Sequence, residues 1–289
     1  MTKPPPRQKG DPETTGHVWD GIEEFNNPLP RWWLWTFYLT IIWAIGYTIL
    51  YPAWPMLDRA TPGLLGWSTR GEVAKDIAAA EEANAAINAR LVSAELTEIA
   101  DDAELNTYAV SAGGAVFRTS CAQCHGSGAA GAPGYPNLLD DSWLWGGDIE
   151  AIHATIANGI RTDENEDARY SEMPAFGRDE LLEPEQIDQV VNFVMSLSGE
   201  AADPTKVEAG AVVYEESCSA CHGATGAGDR DVGAPNLSDA IWLYGGDYDT
   251  LVETVTNSRF GVMPAWSSRL TEAQIRAVAV YVHQLGGGE

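Results

Sequence analysis

The longest uninterrupted apolar stretch of the chain runs from Trp32 to Tyr51, twenty residues without a charged side chain. As a helix rising about 1.5 Å per residue, it is about 30 Å long, which matches the hydrocarbon core of a bilayer. Aromatic side chains lie at both ends, as at membrane interfaces. A buried soluble helix or a cleaved signal peptide fits less well, because the stretch has no polar face and mostly polar residues precede it. The pattern predicts a retained transmembrane anchor over residues 32–54.

The next region has a different pattern, rich in Ala and Glu with sparse apolar positions over residues 72–106. Thr69 and Glu72 have the spacing of a capping box, which marks a helix start. We expect an exposed helix of about 20–25 residues and then a short second one. Residues 55–107 would then form a helical connector between the anchor and the rest of the chain.

From about residue 109 the chain repeats itself. The stretch CAQCHGSGAAGAPGYPNLLDDSWLWGGD aligns with CSACHGATGAGDRDVGAPNLSDAIWLYGGD. Each copy ends in a predicted amphipathic helix, whose apolar residues at i, i+3, i+4 and i+7 form one stripe. The stripes are Ile187, Val190, Val191 and Val194, and Ile275, Val278, Ala279 and Val282. Pro184 predicts the start of the first closing helix, and Thr271 with Gln274 predicts the start of the second. The repeat predicts two all-α domains, residues 108–199 and 200–289.

Each copy carries one C-x-x-C-H motif, and the two motifs use all four cysteines of the chain: Cys121, Cys124 and His125, then Cys218, Cys221 and His222. On a helix these positions share one face, so two thiols can bond the vinyl groups of a porphyrin while the imidazole reaches its iron. The alternative, a zinc site, normally has its second ligand pair 15–20 residues on. Here the second pair lies 97 residues away, which favours attachment of haem c.

Two methionines are candidates for the sixth iron ligand. Met173 and Met263 each begin a Met-Pro-Ala-aromatic sequence, 48 and 41 residues after the histidine of their copy. A thioether favours Fe(II), and the following proline restricts the methionine backbone to extended geometry. We interpret the unmatched Met56 and Met195 as packing residues. We interpret His17, His153 and His283 as ordinary polar or partly buried histidines. Trp143 and Trp242, with Trp145 and Tyr244 and the Gly-Gly that follows each pair, are expected to pack at the haem edge.

The net charge of the chain limits the kinds of partner that it can bind. There are 42 acidic and 17 basic side chains, a net charge of −25, which makes nucleic acid a poor partner. Beyond residue 59 there are 36 acidic and 12 basic side chains, so we expect a basic c-type cytochrome as electron donor. Lys3, Arg7, Lys9 and Arg31 precede the anchor and weakly favour a cytoplasmic segment 1–31. Because c-type haem is attached outside the cytoplasm, we place both haem domains in the periplasm of a bacterial inner membrane.

Taken together, the anchor, the two C-x-x-C-H…M-P-A copies, the leading segment TTGHVWDGIEEFNNPLPRWWLWTFY and the following YPAWP closely resemble the dihaem CcoP (FixP) subunit family of cbb3-type cytochrome c oxidases. The resemblance implies two tandem class I cytochrome c folds with two covalently attached haem c groups. It also implies a non-catalytic electron relay to a monohaem cytochrome c subunit and to a haem–copper catalytic subunit that reduces O2 to water. The acidic insertion after Arg161 is the one departure.

Carried over to this chain, the resemblance makes Cys121, Cys124, Cys218 and Cys221 thioether attachments and His125, His222, Met173 and Met263 axial ligands. Each methionine is expected to serve the haem of its own domain, with crossed pairing as the alternative. Two other functions stay open at this point. A free-standing anchored shuttle would lack oxidase partners, and a dihaem peroxidase would need an open iron position, which two methionines argue against.

Overall fold

The structure is a computed structural model that describes residue 10 and residues 12–289. The chain divides into two compact units, residues 1–83 and 84–289, which are described separately. The topology argument from Lys3, Arg7 and Lys9 falls on positions outside the described residues.

The first unit begins with a β-hairpin that the all-α prediction did not include. Strand β1 (Thr14–Trp19) pairs antiparallel with β2 (Ile22–Phe25). The two residues between them, Asp20 and Gly21, both have positive φ angles, 51° and 85°. An Asp-Gly pair favours this two-residue turn, which explains why the chain folds back here. The hairpin is small and leaves the fold mostly helical.

The predicted anchor is helix α1 (Arg31–Leu50), whose side chains are all at least partly exposed in the isolated chain. Its length and composition are those of a membrane span. It ends four residues before the predicted limit at residue 54. Tyr51 precedes Pro52 and is already extended, with φ −116° and ψ 161°, because a residue before proline disfavours helical geometry.

The predicted exposed helix is α2 (Thr69–Ser93), 25 residues long with Leu91 as its buried residue. The capping prediction at Thr69 was wrong, because Thr69 is already in the helix. Ser68 caps instead, its Oγ accepting from the Gly71 backbone N–H at 3.0 Å. Glu72 forms an ion pair with Lys75 on the next turn. A short 3₁₀ helix (Leu96–Asp101) follows, as expected.

The remaining helices of the second unit form two sets that match the sequence repeat. The first copy supplies α3 (Ala103–Val116), α4 (Ala122–His125), α5 (Ile149–Asn158) and α6 (Pro184–Ser198). The second copy supplies α7 (Val207–Ser217), α8 (Ser219–His222), α9 (Tyr248–Asn257) and α10 (Glu272–His283). The predicted capping box of Thr271 and Gln274 is present, and Pro184 stands in the first turn of α6 as predicted.

The two copies exchange their closing helices. Helix α3 packs on α10, and α7 packs on α6. Helix α5 also lies on α10, and α9 lies on α6. We call α3, α4, α5 and α10 the first half, and α6, α7, α8 and α9 the second half. Each half therefore combines elements of both sequence copies, whereas the predicted domains 108–199 and 200–289 are contiguous.

Glycines allow the paired helices to cross closely. A Cβ on Gly113 of α3 would overlap the Ala277 carbonyl of α10, and one on Gly210 of α7 would overlap the Gln189 carbonyl of α6. At both crossings, an aromatic side chain of one sequence copy packs against an aromatic side chain of the other. Phe117 contacts Tyr281 with ring centroids 5.5 Å apart in the first half, and Phe193 contacts Tyr214 at 5.0 Å in the second.

Candidate functional site

The two C-x-x-C-H motifs occupy equivalent places in the two halves. In the first half, α3 continues through a π-helical segment (Phe117–Cys121) into α4, which ends at His125. In the second half, α7 leads directly to α8, which ends at His222. The first cysteine of each motif is half-buried and the second is exposed. Burial, with a smaller contribution from the neighbouring cysteine, raises the pKa of the free Cys121 and Cys218 thiols to about 11.

The structure fixes the tautomer of both motif histidines. Nδ1 of His125 lies 3.1 Å from the Pro136 carbonyl oxygen, and Nδ1 of His222 lies 3.0 Å from that of Pro235. A carbonyl only accepts hydrogen bonds, so Nδ1 carries the proton and Nε2 keeps its lone pair. Burial lowers the pKa of both imidazoles, which favours the neutral form. A hydrogen bond from one ring nitrogen to a backbone carbonyl is typical of histidines that bind a metal through the other nitrogen.

A tight loop after each histidine presents that proline carbonyl. The backbone N–H of Gly131 donates to the His125 carbonyl, and that of Gly228 donates to the His222 carbonyl, both at 2.9 Å. Both glycines have positive φ, 70° and 81°, and a Cβ on either would overlap the backbone just before the Asn of the Pro-Asn-Leu sequence. The loops therefore position the two imidazoles in the same way.

The two methionines lie in the half opposite to their sequence copy. Met263 exchanges two backbone hydrogen bonds with Ile160, at 2.9 and 3.0 Å, and packs on the same core as Cys121. The Met173 carbonyl accepts from Ser258 Oγ at 2.6 Å, just after α9. Both methionines are half-buried. Met263 is thus packed with the first motif, and the segment of Met173 is held against the second half.

This packing differs from the in-domain pairing expected from the sequence. The backbone N–H of Phe176, three residues after Met173, donates to Val255 of α9, and that of Trp266 donates equivalently to Ile156 of α5. The sequence did carry a signal for this exchange. Only eight residues, 199–206, connect α6 to α7, and short connections favour antiparallel packing of consecutive helices.

The other tryptophans singled out from the sequence pack near the motifs: Trp143 lies on the same core as Cys121, and Trp242 on the same core as Cys218. Gly147 and Gly246 abut the indoles of Trp143 and Trp242, where a Cβ would overlap the rings. These glycines let the backbone approach the two indoles closely, and packing at the haem edge stays a prediction. The remaining histidines and methionines have ordinary surroundings: His153 bonds Glu272, His283 bonds the Glu289 carbonyl, Met195 packs near Ile187 and Val191, and His17 and Met56 are exposed.

The donor set of each half fits haem c. Two cysteines and a neutral imidazole with a free Nε2 are presented by one short helical turn, and a half-buried thioether comes from the opposite copy. Sulfur of methionine and nitrogen of histidine are the axial pair of cytochromes c. These features define the class of the protein, a c-type cytochrome with an apolar anchor.

Comparison with known proteins agrees with that class. A family described as the N-terminal domain of cytochrome oxidase-cbb3, FixP, matches residues 11–58. A family described as cytochrome c oxidase, cbb3-type, subunit III, matches residues 109–194 and 205–282, one segment for each copy.

Full-length relatives match as well. The Cbb3-type cytochrome c oxidase subunit CcoP of Cereibacter sphaeroides is 64% identical over 287 residues, 99% of each chain. The CcoP subunit of Rhodobacter capsulatus is 56% identical over the whole of both chains. The FixP subunit of Sinorhizobium medicae is 52% identical over 277 residues, 96% of this chain and 95% of the relative. The chain belongs to the CcoP/FixP family, the membrane-anchored cytochrome c electron-transfer subunits of cbb3-type oxidases.

Proposed function

We propose that this chain holds two covalently attached haem c groups and relays electrons between a c-type cytochrome donor and the other subunits of a cbb3-type oxidase. The observation that carries the proposal is the duplicated site. In both halves a C-x-x-C-H turn presents a neutral imidazole whose Nδ1–H is bound to a proline carbonyl. One such site serves a monohaem cytochrome, whereas two sites in one compact unit suit a relay.

The proposed ligand sets are crossed. Cys121, Cys124, His125 and Met263 hold the first haem, and Cys218, Cys221, His222 and Met173 hold the second. The hydrogen bonds of Met263 to Ile160 and its packing in the core of Cys121 support the first set. The hydrogen bond from Ser258 to the Met173 carbonyl supports the second.

The chain's own residues prepare each site for one-electron transfer. Haem c supplies an Fe(III)/Fe(II) couple, which His/Met ligation places at a raised potential. The proline carbonyls hold the imidazoles in one tautomer and one orientation. Pro174 and Pro264 keep the methionine backbones extended. The helix crossings at Gly113 and Gly210 keep each motif helix against its closing helix. Sites that are rigid in this way do not need to rearrange when the charge changes.

A covalent haem count tests the central claim. We expect two haems per wild-type chain and one after the double substitution Cys121→Ala and Cys124→Ala, with the same result for Cys218→Ala and Cys221→Ala. A single haem in the wild type would refute the dihaem relay. A high-spin ferric spectrum at rest would indicate an open iron position and revive a peroxidase.

The partners proposed are a monohaem cytochrome c subunit and a haem–copper catalytic subunit that reduces O2. Family membership supports an oxidase assembly, and the exposed apolar surface of α1 gives a place for contact with lipid or with other membrane helices. Solubilisation in mild detergent followed by identification of copurifying subunits is the test. Recovery of the chain alone would favour a free-standing shuttle.

The donor is proposed to be a basic c-type cytochrome, because the region beyond the anchor is strongly acidic. Attraction between opposite charges raises association rates, by about 10-fold or more at low salt. Stopped-flow reduction by a basic donor should slow steeply as ionic strength rises, since the Debye length falls to about 8 Å at physiological salt. A flat salt profile would leave the acidity with a solubility role only.

The orientation is proposed to be cytoplasmic for residues 1–31 and periplasmic for both haem domains. A reporter that is active only in the periplasm should give a signal when fused after Glu289 and none when fused before Trp32. The reverse pattern would overturn this orientation.

A further inference from the structure

The loop that follows the anchor, residues 52–67, folds back onto the end of α1. The backbone N–H of Leu64 donates to the Ile49 carbonyl at 3.0 Å, and that of Leu65 donates to the Leu50 carbonyl at 3.1 Å. These carbonyls belong to the last turn of the helix, where the helix itself has no further N–H groups to offer. The loop therefore supplies hydrogen-bond donors that the end of the anchor lacks.

Gly63 allows this close approach. It has a positive φ of 71°, and a Cβ at this position would overlap the Leu50 carbonyl and the Tyr51 backbone. At the far end of the loop, the Trp67 ring contacts Tyr51 edge-on, with centroids 5.8 Å apart, and Tyr51 stacks on Tyr47 of α1 at 4.8 Å. Hydrogen bonds and aromatic contacts thus both join the loop to the helix end.

Hydrogen bonds within the loop order its other limb. Thr61 Oγ1 accepts from the Trp54 backbone N–H at 3.1 Å, and the Thr61 N–H donates to the Trp54 carbonyl at 2.9 Å. The Met56 N–H donates to the Arg59 carbonyl at 2.8 Å, which closes a turn with Leu57 at its tip. A loop whose backbone is bonded in this way holds its side chains in fixed directions.

Large apolar side chains of this ordered loop are exposed. More than half of the surface of each of five is accessible in the chain: Trp54, Met56, Leu57, Leu64 and Leu65. The loop has two charged side chains, Asp58 and Arg59, and their charges cancel. Exposed apolar side chains that cluster in this way are typical of a surface that contacts a membrane or another protein.

The position of the loop favours lipid as the occupant. Leu64 and Leu65 are hydrogen-bonded to the last turn of a helix with the length and composition of a membrane span, so the loop lies at the depth where that span ends. Tryptophan and tyrosine are typical of this depth, because the ring contacts acyl chains while its polar atom reaches water. Protein partners are selected largely by complementary charge, and this loop has no net charge to complement.

We propose that residues 52–67 are a second membrane contact, which lies in the headgroup region of the phospholipid bilayer at the C-terminal end of α1. The hydrogen bonds to Ile49 and Leu50 hold the loop there, and its exposed apolar side chains face the acyl boundary. The anchor crosses the bilayer, whereas the loop lies in its interface. The chain then leaves the membrane from a fixed point on the helix end rather than from a flexible tether.

Thiol labelling of the full chain in nanodiscs of phosphatidylethanolamine and phosphatidylglycerol tests the proposal. Leu57→Cys and Leu64→Cys place one new thiol on each limb of the loop, and a polyethylene-glycol maleimide, which stays in water, measures how fast each thiol reacts. The reagent attacks the thiolate, which an apolar interface disfavours, so we expect both rates to be about tenfold below that of Leu181→Cys. Leu181 is the matched control, because it is an exposed leucine of the second unit.

Both loop leucines are exposed in the chain alone, so slow labelling requires cover from outside the chain. A rate equal to that of Leu181→Cys at either loop position in nanodiscs would overturn the proposal. If the loop thiols reacted fast in nanodiscs and slowly only in the purified oxidase, the surface would contact a protein subunit and not lipid. Labelling of the wild-type chain would count against the proposed haem attachment, which uses all four cysteines, and the additional label of each variant would still report on the loop.

Gly63→Ala, added to Leu57→Cys, tests whether the helix end holds the loop in place. The added Cβ would overlap the Leu50 carbonyl, so the loop should move off the helix end and the labelling rate should rise toward that of Leu181→Cys. Gly66→Ala is the matched control, because Gly66 also has a positive φ, 61°, but a Cβ there would meet nothing within 4 Å. An unchanged rate in Gly63→Ala, or an equal rise in both variants, would overturn the role of the hydrogen bonds to α1.

Discussion

The two halves share the same inner packing but differ on the outer face of their closing helices. In the first half, the outer face of α10 is apolar, with Ala277 and Val280 packed against Leu91 and Ile99. Arg276 on this face donates to the carbonyls of Leu91 and Ala94, 3.2 and 2.7 Å away. This half is covered by the last turn of α2 and by the 3₁₀ helix that follows it.

In the second half, the outer face of α6 is polar. Asp188, at the position equivalent to Arg276, forms an ion pair with Lys206 and accepts from the Tyr248 hydroxyl at 2.8 Å. Asn192, at the position equivalent to Val280, is buried and bonds Asp188 and the Asp203 backbone. The inner faces of α10 and α6, which hold the motif helices α3 and α7, are therefore alike, whereas the outer faces differ. The polarity of each outer face matches the part of the chain that packs against it.

The largest expected effect tests whether the halves truly exchange their methionines. Met263→His should lower the potential of the haem attached at Cys121 and Cys124, because imidazole no longer favours Fe(II) as a thioether does. The shift should be on the order of 0.1 V, within the roughly 0.8 V that axial ligands span. Redox titration in a Cys218→Ala, Cys221→Ala background, which retains only the first haem, measures it.

Met173→His should act in the same way on the second haem, and Met195→His should move neither potential. When each of the three substitutions is made alone in the otherwise wild-type chain, covalent haem content should stay at two per chain. If Met263→His left the first haem unchanged and shifted the second, ligation would be within each sequence copy.

The next effect concerns the helix crossings common to both halves. Gly113→Ala and Gly210→Ala each place a Cβ against the carbonyl of a facing helix, so each should destabilise the protein by about 2–3 kcal/mol through overpacking. Denaturant unfolding monitored by Soret absorbance measures it. Gly114→Ala, whose Cβ would meet only side-chain atoms of Tyr281 and Arg118, should cost much less. Equal stabilities for Gly113→Ala and Gly114→Ala would contradict the crossing.

A smaller effect on stability distinguishes the two aromatic pairs, Phe117–Tyr281 and Phe193–Tyr214. The Tyr214 hydroxyl donates to the Gly223 carbonyl at 2.7 Å, just after the second motif, whereas the equivalent Phe117 has no hydroxyl. Burial raises the pKa of Tyr214 to about 12. Tyr214→Phe should cost about 1–1.5 kcal/mol, the value of one hydrogen bond. Tyr281→Phe, whose hydroxyl bonds no described residue, is the control and should be near neutral by the same unfolding assay.

The smallest effect is an acid sensitivity specific to the second half. The Lys206 hydrogen bond, followed by that of Tyr248, holds the pKa of Asp188 below its usual range. A carboxyl whose folded pKa is depressed contributes its full stability above the unfolded value of about 3.9 and loses it as pH falls toward the folded pKa. Asp188→Asn should therefore lower stability at pH 7 and converge with the wild type in acid. Asp249→Asn on α9 is the exposed control, and parallel curves for Asp188→Asn and wild type would contradict the prediction.

Several features of the fold could be predicted from the sequence because they depend on residues close in the chain. The span of α1, the amphipathic stripes of α6 and α10, and the capping box at Thr271 all follow from local spacing. The hairpin around Asp20 and Gly21 was also a local signal, but the flanking strands are short and carry only weak alternation. The sequence did not distinguish Ser68 from Thr69 as the N-cap of α2, because two adjacent hydroxyl residues offer two possible helix starts.

The sequence by itself identified the two C-x-x-C-H motifs and the candidate iron ligands, because the types and spacings of cysteine, histidine and methionine can be recognised without the fold. Only the tertiary structure decided which half each methionine joins. The physical reason is that the two copies present nearly the same apolar stripes, so either closing helix could cover either motif helix. The short connection from α6 to α7 selects the exchanged arrangement, because it makes those two helices neighbours and leaves α10 for α3.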